Sequence, residues 1–133
     1  MRRLNLLDHV LIQIDNCLTA IGKHSSSERV YPAKGFNEPQ LSAYERKQSA
    51  GFMRVNHSGE VCAQALYNAQ TLMAREKKIS ETLNQCGLEE SDHLAWCQTR
   101  LSELNSHASY LNFFWYWNSF MLGLLAGVMG DKW

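Results

Sequence analysis

Glu90 and His93 stand three residues apart in the stretch Glu89-Glu90-Ser91-Asp92-His93. On a helix that spacing sets both side chains on one face, one turn apart. A carboxylate is a hard anionic ligand and imidazole a borderline one, so the pair can hold a first-row transition metal. Glu89 and His93 are also in register, at four residues, and spacing alone leaves open which glutamate partners the histidine. A lone Glu-x-x-His recurs by chance; the plain alternative is an exposed acidic patch with one satisfied imidazole. Upstream, Met53-Arg54-Val55-Asn56-His57-Ser58-Gly59-Glu60-Val61-Cys62-Ala63-Gln64 sets Glu60 beside apolar Val61 and Cys62. Gly59 costs about 1 kcal/mol in a helix interior. Next to a glutamate on a buried face, it would let a second backbone or a ligand come close.

Four helical segments must position these groups. Leu4, Leu7, Leu11, Ile14, Leu18 and Ile21 recur at three or four residues and predict an amphipathic helix ending at Gly22. Its apolar stripe is expected to face a bundle core, with Asp8, Gln13, Asp15 and Asn16 on the polar side. Lys23 to Pro39, with Ser25-Ser26-Ser27, Pro32, Gly35 and Pro39, reads as a linker long enough to wrap the body or to move. A second helix begins near Ser42, with Glu45 as its capping-box partner, and runs to about Arg75. Its core positions are Met53, Leu66 and Met73 among Ala50, Ala63, Ala69 and Ala74. A third, Lys77 to Asn105, has a stripe of Ile79, Leu83, Cys86, Leu94, Cys97, Leu101 and Leu104, with a kink expected at Gly87. The expected divisions are therefore an N-terminal helix at 1–22, a linker at 23–40 and the main helical domain at 41–133.

The last segment, Ser109 to Gly130, carries no charge and crowds Phe113, Phe114, Trp115, Tyr116, Trp117 and Phe120 into its first half. Its length allows a bilayer span, but Asn112, Asn118, Ser119, Gly123 and Gly127 dilute it. A buried or oligomer-facing helix, an interfacial helix and a span are all compatible with it.

The 133 residues fit one domain with a single core. Formal net charge is zero, which argues against a nucleic-acid binder. The two prolines precede the helical body and no alternating β-branched run occurs, so the expected class is all-α. Cys17, Cys62, Cys86 and Cys97 form no C-x-x-C pair, and polar residues interrupt any apolar leader after Met1-Arg2-Arg3. Free thiols in a reducing, cytoplasmic compartment are expected.

Glu60 on one helix and Glu90-x-x-His93 on the next make half of the ligand set of a di-iron carboxylate site. Such a bundle takes a lone Glu from each of two helices and a Glu-x-x-His from each of the other two. Carboxylates can bridge two irons, and imidazole completes each iron while leaving positions for dioxygen.

Met53 through Tyr67 resembles the first metal motif of the demethoxyubiquinone hydroxylase family. Glu90-Ser91-Asp92-His93-Leu94-Ala95-Trp96-Cys97 resembles its second, and Gly123 through Trp133 the segment that follows. The resemblance covers about Leu41 to Trp133. It implies a ferritin-like helical bundle, incomplete in this chain, with two iron ions as cofactor. It also implies hydroxylation of a polyprenylated demethoxyubiquinol by dioxygen, in ubiquinone biosynthesis. It places the protein peripherally on the cytoplasmic face of the cell membrane, with homo-oligomers as a further expectation. Carried over residue by residue, it makes Glu60 and His93 ligands of one iron and Glu90 the bridge, and so selects Glu90 over Glu89. The family continues through two more helices bearing a further Glu and a second Glu-x-x-His. Glu103 and His107 do not replace that set. The expectation is thus a chain with three of six ligands: a fragment, a half-site completed by a second copy, or an inactive product. The alternative is a truncated, non-catalytic helical module on a membrane or partner; an iron-storage role is not suggested by the uncharged aromatic helix. Arg54 and His57 are expected to hold helices together rather than to act in chemistry.

Overall fold

The computed structural model describes residues 5–22 and 27–130. Helices α1 (Leu6–Ile21), α2 (Ala43–Met73), α3 (Lys77–Glu103) and α4 (Asn112–Met129) follow in order, with no strand among the described residues. The all-α expectation holds. The central element is α2: α3 and α4 each pack along it, and α1 lies against α2 and α4.

Local sequence explains the boundaries. Ser42 caps α2 and Glu45 returns the bond to the Ser42 backbone; Asn5 and Asp8 form the same reciprocal pair at the start of α1. Asn105, at φ 53°, ends α3 in the left-handed region. Asn105 N–H donates to the Ser102 carbonyl (3.0 Å) and Ser106 N–H to that of Leu101 (2.8 Å), the paired bonds of a Schellman turn. Through Gly87, where a kink was expected, α3 runs unbroken, and Gly87 is buried against α2, with Gln64 beside it.

The core joins Cys17 and Ala20 of α1, Val61, Ala65 and Ala69 of α2, Leu94 of α3, and Tyr116 and Phe120 of α4. Of the expected core positions of α2, Ala50 and Ala69 are buried and Met53, Leu66 and Met73 are not; the buried line is Ala50, His57, Val61, Ala65 and Ala69, and its alanines are small. They let α4 come close. A Cβ at Gly123 would lie 2.8 Å from Ala69 Cβ and 2.9 Å from the Leu66 carbonyl oxygen, and one at Gly127 would collide with Met73.

The orientation expected for α1 is corrected. Leu4 lies outside the described residues, and Leu7, Leu11, Ile14 and Leu18 of its stripe are exposed, along with Leu6 and Val10. The helix contacts the body through Cys17 and Ala20, with Ile21 at the margin. Two small side chains allow closer packing than the leucines would, and they leave the apolar stripe uncovered. On α4, Phe113, Phe114, Trp115, Leu122 and Leu125 are likewise exposed, while Tyr116, Ser119, Phe120 and Gly123 face inward. No helix among the described residues is long and apolar enough to cross a membrane.

The close approach of α4 makes a testable contrast. Gly123→Ala should destabilise the protein by about 1–3 kcal/mol through overpacking, whereas Gly59→Ala, where nothing lies within 4 Å among the described residues, should stabilise it by up to about 1 kcal/mol. Urea unfolding of both variants checks the sign.

Candidate metal centre

The short turn 74–76 folds α3 back along α2 and brings Glu60 to the face that carries Glu90 and His93. One ligand atom from each of the three lies within 4.8 Å of the others. His93 Nδ1 is 3.2 Å from Glu90 Oε2 and 3.7 Å from Glu60 Oε2. The two carboxylates are about four-fifths buried, at 20% and 17% side-chain exposure, while the imidazole keeps 39%. Glu89 is exposed, and its carboxylate accepts from Gln85 Nε2 (3.4 Å) one turn back on the same helix. Geometry therefore pairs His93 with Glu90.

Burial, and then the neighbouring Glu90 carboxylate as hydrogen-bond partner and like charge, push the Glu60 pKa up to about 8. Two acids in this space hold a proton unless a cation takes its place. Two hard oxygen donors and one imidazole, on rigid helices and with an open side, suit iron or a similar divalent transition metal. The donor set fits the metal that the family resemblance implies.

Beside the centre is a cavity of about 770 Å³, a volume typical of small-molecule sites. Glu60, His93, Met53, Asn56, Trp96 and Cys97 line it from the helices, and Tyr31, Pro32, Ala33 and Phe36 from the preceding segment. Asn56 Nδ2 reaches Cys97 Sγ (3.1 Å), and the His93 ring lies 5.4 Å from that of Trp96.

Polar staples hold α2 in place around the centre. Fully buried His57 accepts at Nδ1 from Asn112 Nδ2 (3.1 Å), while Ser58 Oγ donates to Asn112 Oδ1 (2.8 Å). Burial lowers the His57 pKa, which favours the neutral ring this bond requires. Arg54 donates to Ser106 Oγ (2.9 Å) and to the His107 carbonyl (3.1 Å), clamping α2 to the turn that ends α3. Both residues join elements, as expected. Gly59, by contrast, is exposed, and a Cβ there would have no described residue within 4 Å.

One group was not anticipated. Asp92, between the two candidate ligands of α3, faces away from them and collects the segment after α1. It accepts from Ser27 Oγ (3.0 Å), Glu28 N–H (2.8 Å) and Arg29 Nε (2.5 Å). These bonds, Arg29 first, hold its carboxyl at a pKa of about 2. The only sequence signal was an acidic residue on the buried side of α3.

Two carboxylates and a histidine brought together between two packed helices are the arrangement from which helical-bundle metal sites are built. The chain's family is narrower. Residues 47–133 match the family described as ubiquinone biosynthesis protein COQ7, and the chain belongs to that family, whose fold is a ferritin-like helical bundle. Similar relatives are named 3-demethoxyubiquinol 3-hydroxylase. That of Coxiella burnetii strain RSA 493 is 50% identical over 130 residues, 98% of this chain and 60% of the relative. That of Nitrosococcus oceani is 50% identical over 133 residues, 99% of this chain and 62% of the relative. That of Polynucleobacter asymbioticus is 49% identical over 131 residues, 98% and 63%. The chain thus spans about three fifths of the length of the curated relatives it matches. No solved structure matches it.

The staple at His57 gives a direct test of how α4 is held. Asn112→Ala leaves His57 Nδ1 and Ser58 Oγ without that partner and should cost about 1–3 kcal/mol, read as a lower midpoint in urea unfolding with little change in helix content by circular dichroism.

Proposed function

We propose that these residues form the first half of a di-iron monooxygenase that hydroxylates the ring of a polyprenylated demethoxyubiquinol with dioxygen, in ubiquinone biosynthesis. The observation that carries this reading is the convergence of Glu60, Glu90 and His93 in a chain of this family. The name shared by the relatives supplies the substrate class. Glu60, Glu90 and His93 would hold the iron on this side of the centre, with Glu90 in the bridging role that the family resemblance implies. When bound, the irons activate dioxygen and carry its electrons. The second ligand set implied by the family resemblance, a Glu and a further Glu-x-x-His, is to be sought in the two fifths of the relatives' length outside this chain.

The protein's own part is positioning and dryness. Burial of the Glu60 and Glu90 side chains keeps bulk water from the carboxylates, and the helix backbone fixes their separation before a metal arrives. His93 keeps one ring edge toward Glu90, which orients the nitrogen toward the centre.

We also place the protein on the membrane surface as a peripheral protein, at the cytoplasmic face. The uncovered apolar residues of α1 and α4 support this. The same faces would serve a non-catalytic helical module that docks on a membrane, and iron separates the two readings.

Anaerobic titration of the intact protein with ferrous iron is the test. Glu60→Gln, Glu90→Gln and His93→Ala should each weaken iron binding by about tenfold or more, by analogy with the loss seen when metal-site support is removed, and abolish hydroxylated product. Iron binding unchanged in all three variants would overturn the reading and leave the non-catalytic module.

A further inference from the structure

The segment between α1 and α2 is built into the wall of the cavity beside the metal centre. It is fastened to α3 at two places. At one end, Ser27, Glu28 and Arg29 bond to Asp92, and the Arg29 guanidinium also lies over the Trp96 ring, 5.1 Å from its centre. At the other, Glu38 pairs with Arg100, and Tyr31 donates to Glu103 Oε2 (3.3 Å). The fastening points, Asp92 to Glu103, span about 16 Å of helix at 1.5 Å per residue, and His93 lies in that span. Between them the chain makes two overlapping turns, with Lys34 N–H donating to the Tyr31 carbonyl (3.0 Å) and Phe36 N–H to that of Ala33 (3.2 Å), and Gly35 at φ +88°.

This arrangement presents aromatic surface without burying it. Phe36 lines the cavity, yet 80% of its surface is exposed. The ring stands on the same wall as Tyr31, Pro32 and Ala33, in the cavity that Glu60 and His93 also line. Met53 and Trp96 add apolar surface to the lining, and Asn56, Tyr31 and the paired Arg100, Glu38 and Glu103 add polar groups. Apolar faces with a few separated hydrogen-bonding groups are what a flat ring with oxygen substituents requires.

We propose that residues 27–38 are the ring-selecting strap of this protein. Phe36 packs on the face of the quinol ring, and Arg29, through Asp92 and Trp96, is the positioning residue that holds the strap at the distance that ring needs. The proposal rests on the quinol-hydroxylase reading and adds to it which residues outside the metal helices choose the substrate. Arg29 acts through the strap: its guanidinium meets the Asp92 carboxylate, the Glu89 carbonyl and the Trp96 ring.

The test is calorimetric binding of a short-tailed demethoxyubiquinol to the intact, iron-loaded protein without oxygen, with iron content measured on each sample. Phe36→Ala and Arg29→Ala should raise Kd about tenfold at unchanged iron content. Arg29→Lys, which keeps the charge but loses the planar fork, should recover only part of the loss. Phe36→Ala leaves the strap's fastenings to α3 in place, so it gives a readout even if Arg29→Ala does not fold. Quinol affinity unchanged in Phe36→Ala would overturn the strap assignment while leaving the metal reading intact. A parent protein that takes up no iron would overturn the metal reading itself, and the strap assignment with it.

Discussion

Glu60 and Glu90 reach one largely buried point from two different helices, and like charges there repel. Two unit charges about 4 Å apart interact by roughly 4 kcal/mol at a dielectric typical of a protein surface. Desolvation first, then the hydrogen bond to Glu90 and this repulsion, raise the Glu60 pKa, so that the pair holds a proton. A fold that needed only stability would separate these groups or replace one. Keeping them together makes sense where a cation arrives to sit between them. Until it does, a proton shared at this point relieves the repulsion, and the backbone has only to keep the two carboxyl groups together.

Rigid packing of α2 meets that requirement. On one side of α2, small residues let α4 approach to backbone distance at Gly123. Arg54 and His57 tie α2 to both ends of the connection between α3 and α4. On the other side, Asp92 turns the same stretch of α3 that carries Glu90 and His93 into an anchor for the strap. Three successive jobs therefore fall within four residues of one helix: Glu90 toward the metal, Asp92 toward the strap, His93 back toward the metal. The helical repeat, which rotates each residue by about 100° from the last, makes this division of faces automatic.

Periodicity and caps were enough to read four helices, the Ser42 start of α2 and the shared face of Glu90 and His93, because those features depend on neighbours in sequence. Choosing Glu90 over Glu89 was not a matter of spacing, which fits both; the packing of α2 on α3 decides it. The face of α1 was misread for a related reason. Its leucine stripe is a sound amphipathic signal, but periodicity does not say whether the apolar side meets the core or something outside it, and here Cys17 and Ala20 make the contact. The Asp92 clasp was invisible because its partners, Ser27 to Arg29, are more than sixty residues away in a stretch with no periodic pattern. Long-range polar contacts of this kind leave no local trace.

The central claim, that Glu60, Glu90 and His93 are ligands of one metal centre, is tested most directly by diffraction at the iron absorption edge from crystals of the intact protein grown with ferrous iron. The account predicts anomalous density between the Glu60 and Glu90 carboxylates and the His93 imidazole, with Glu89 pointing away from it. Anomalous density elsewhere, or none at this position in crystals that contain iron, would contradict it.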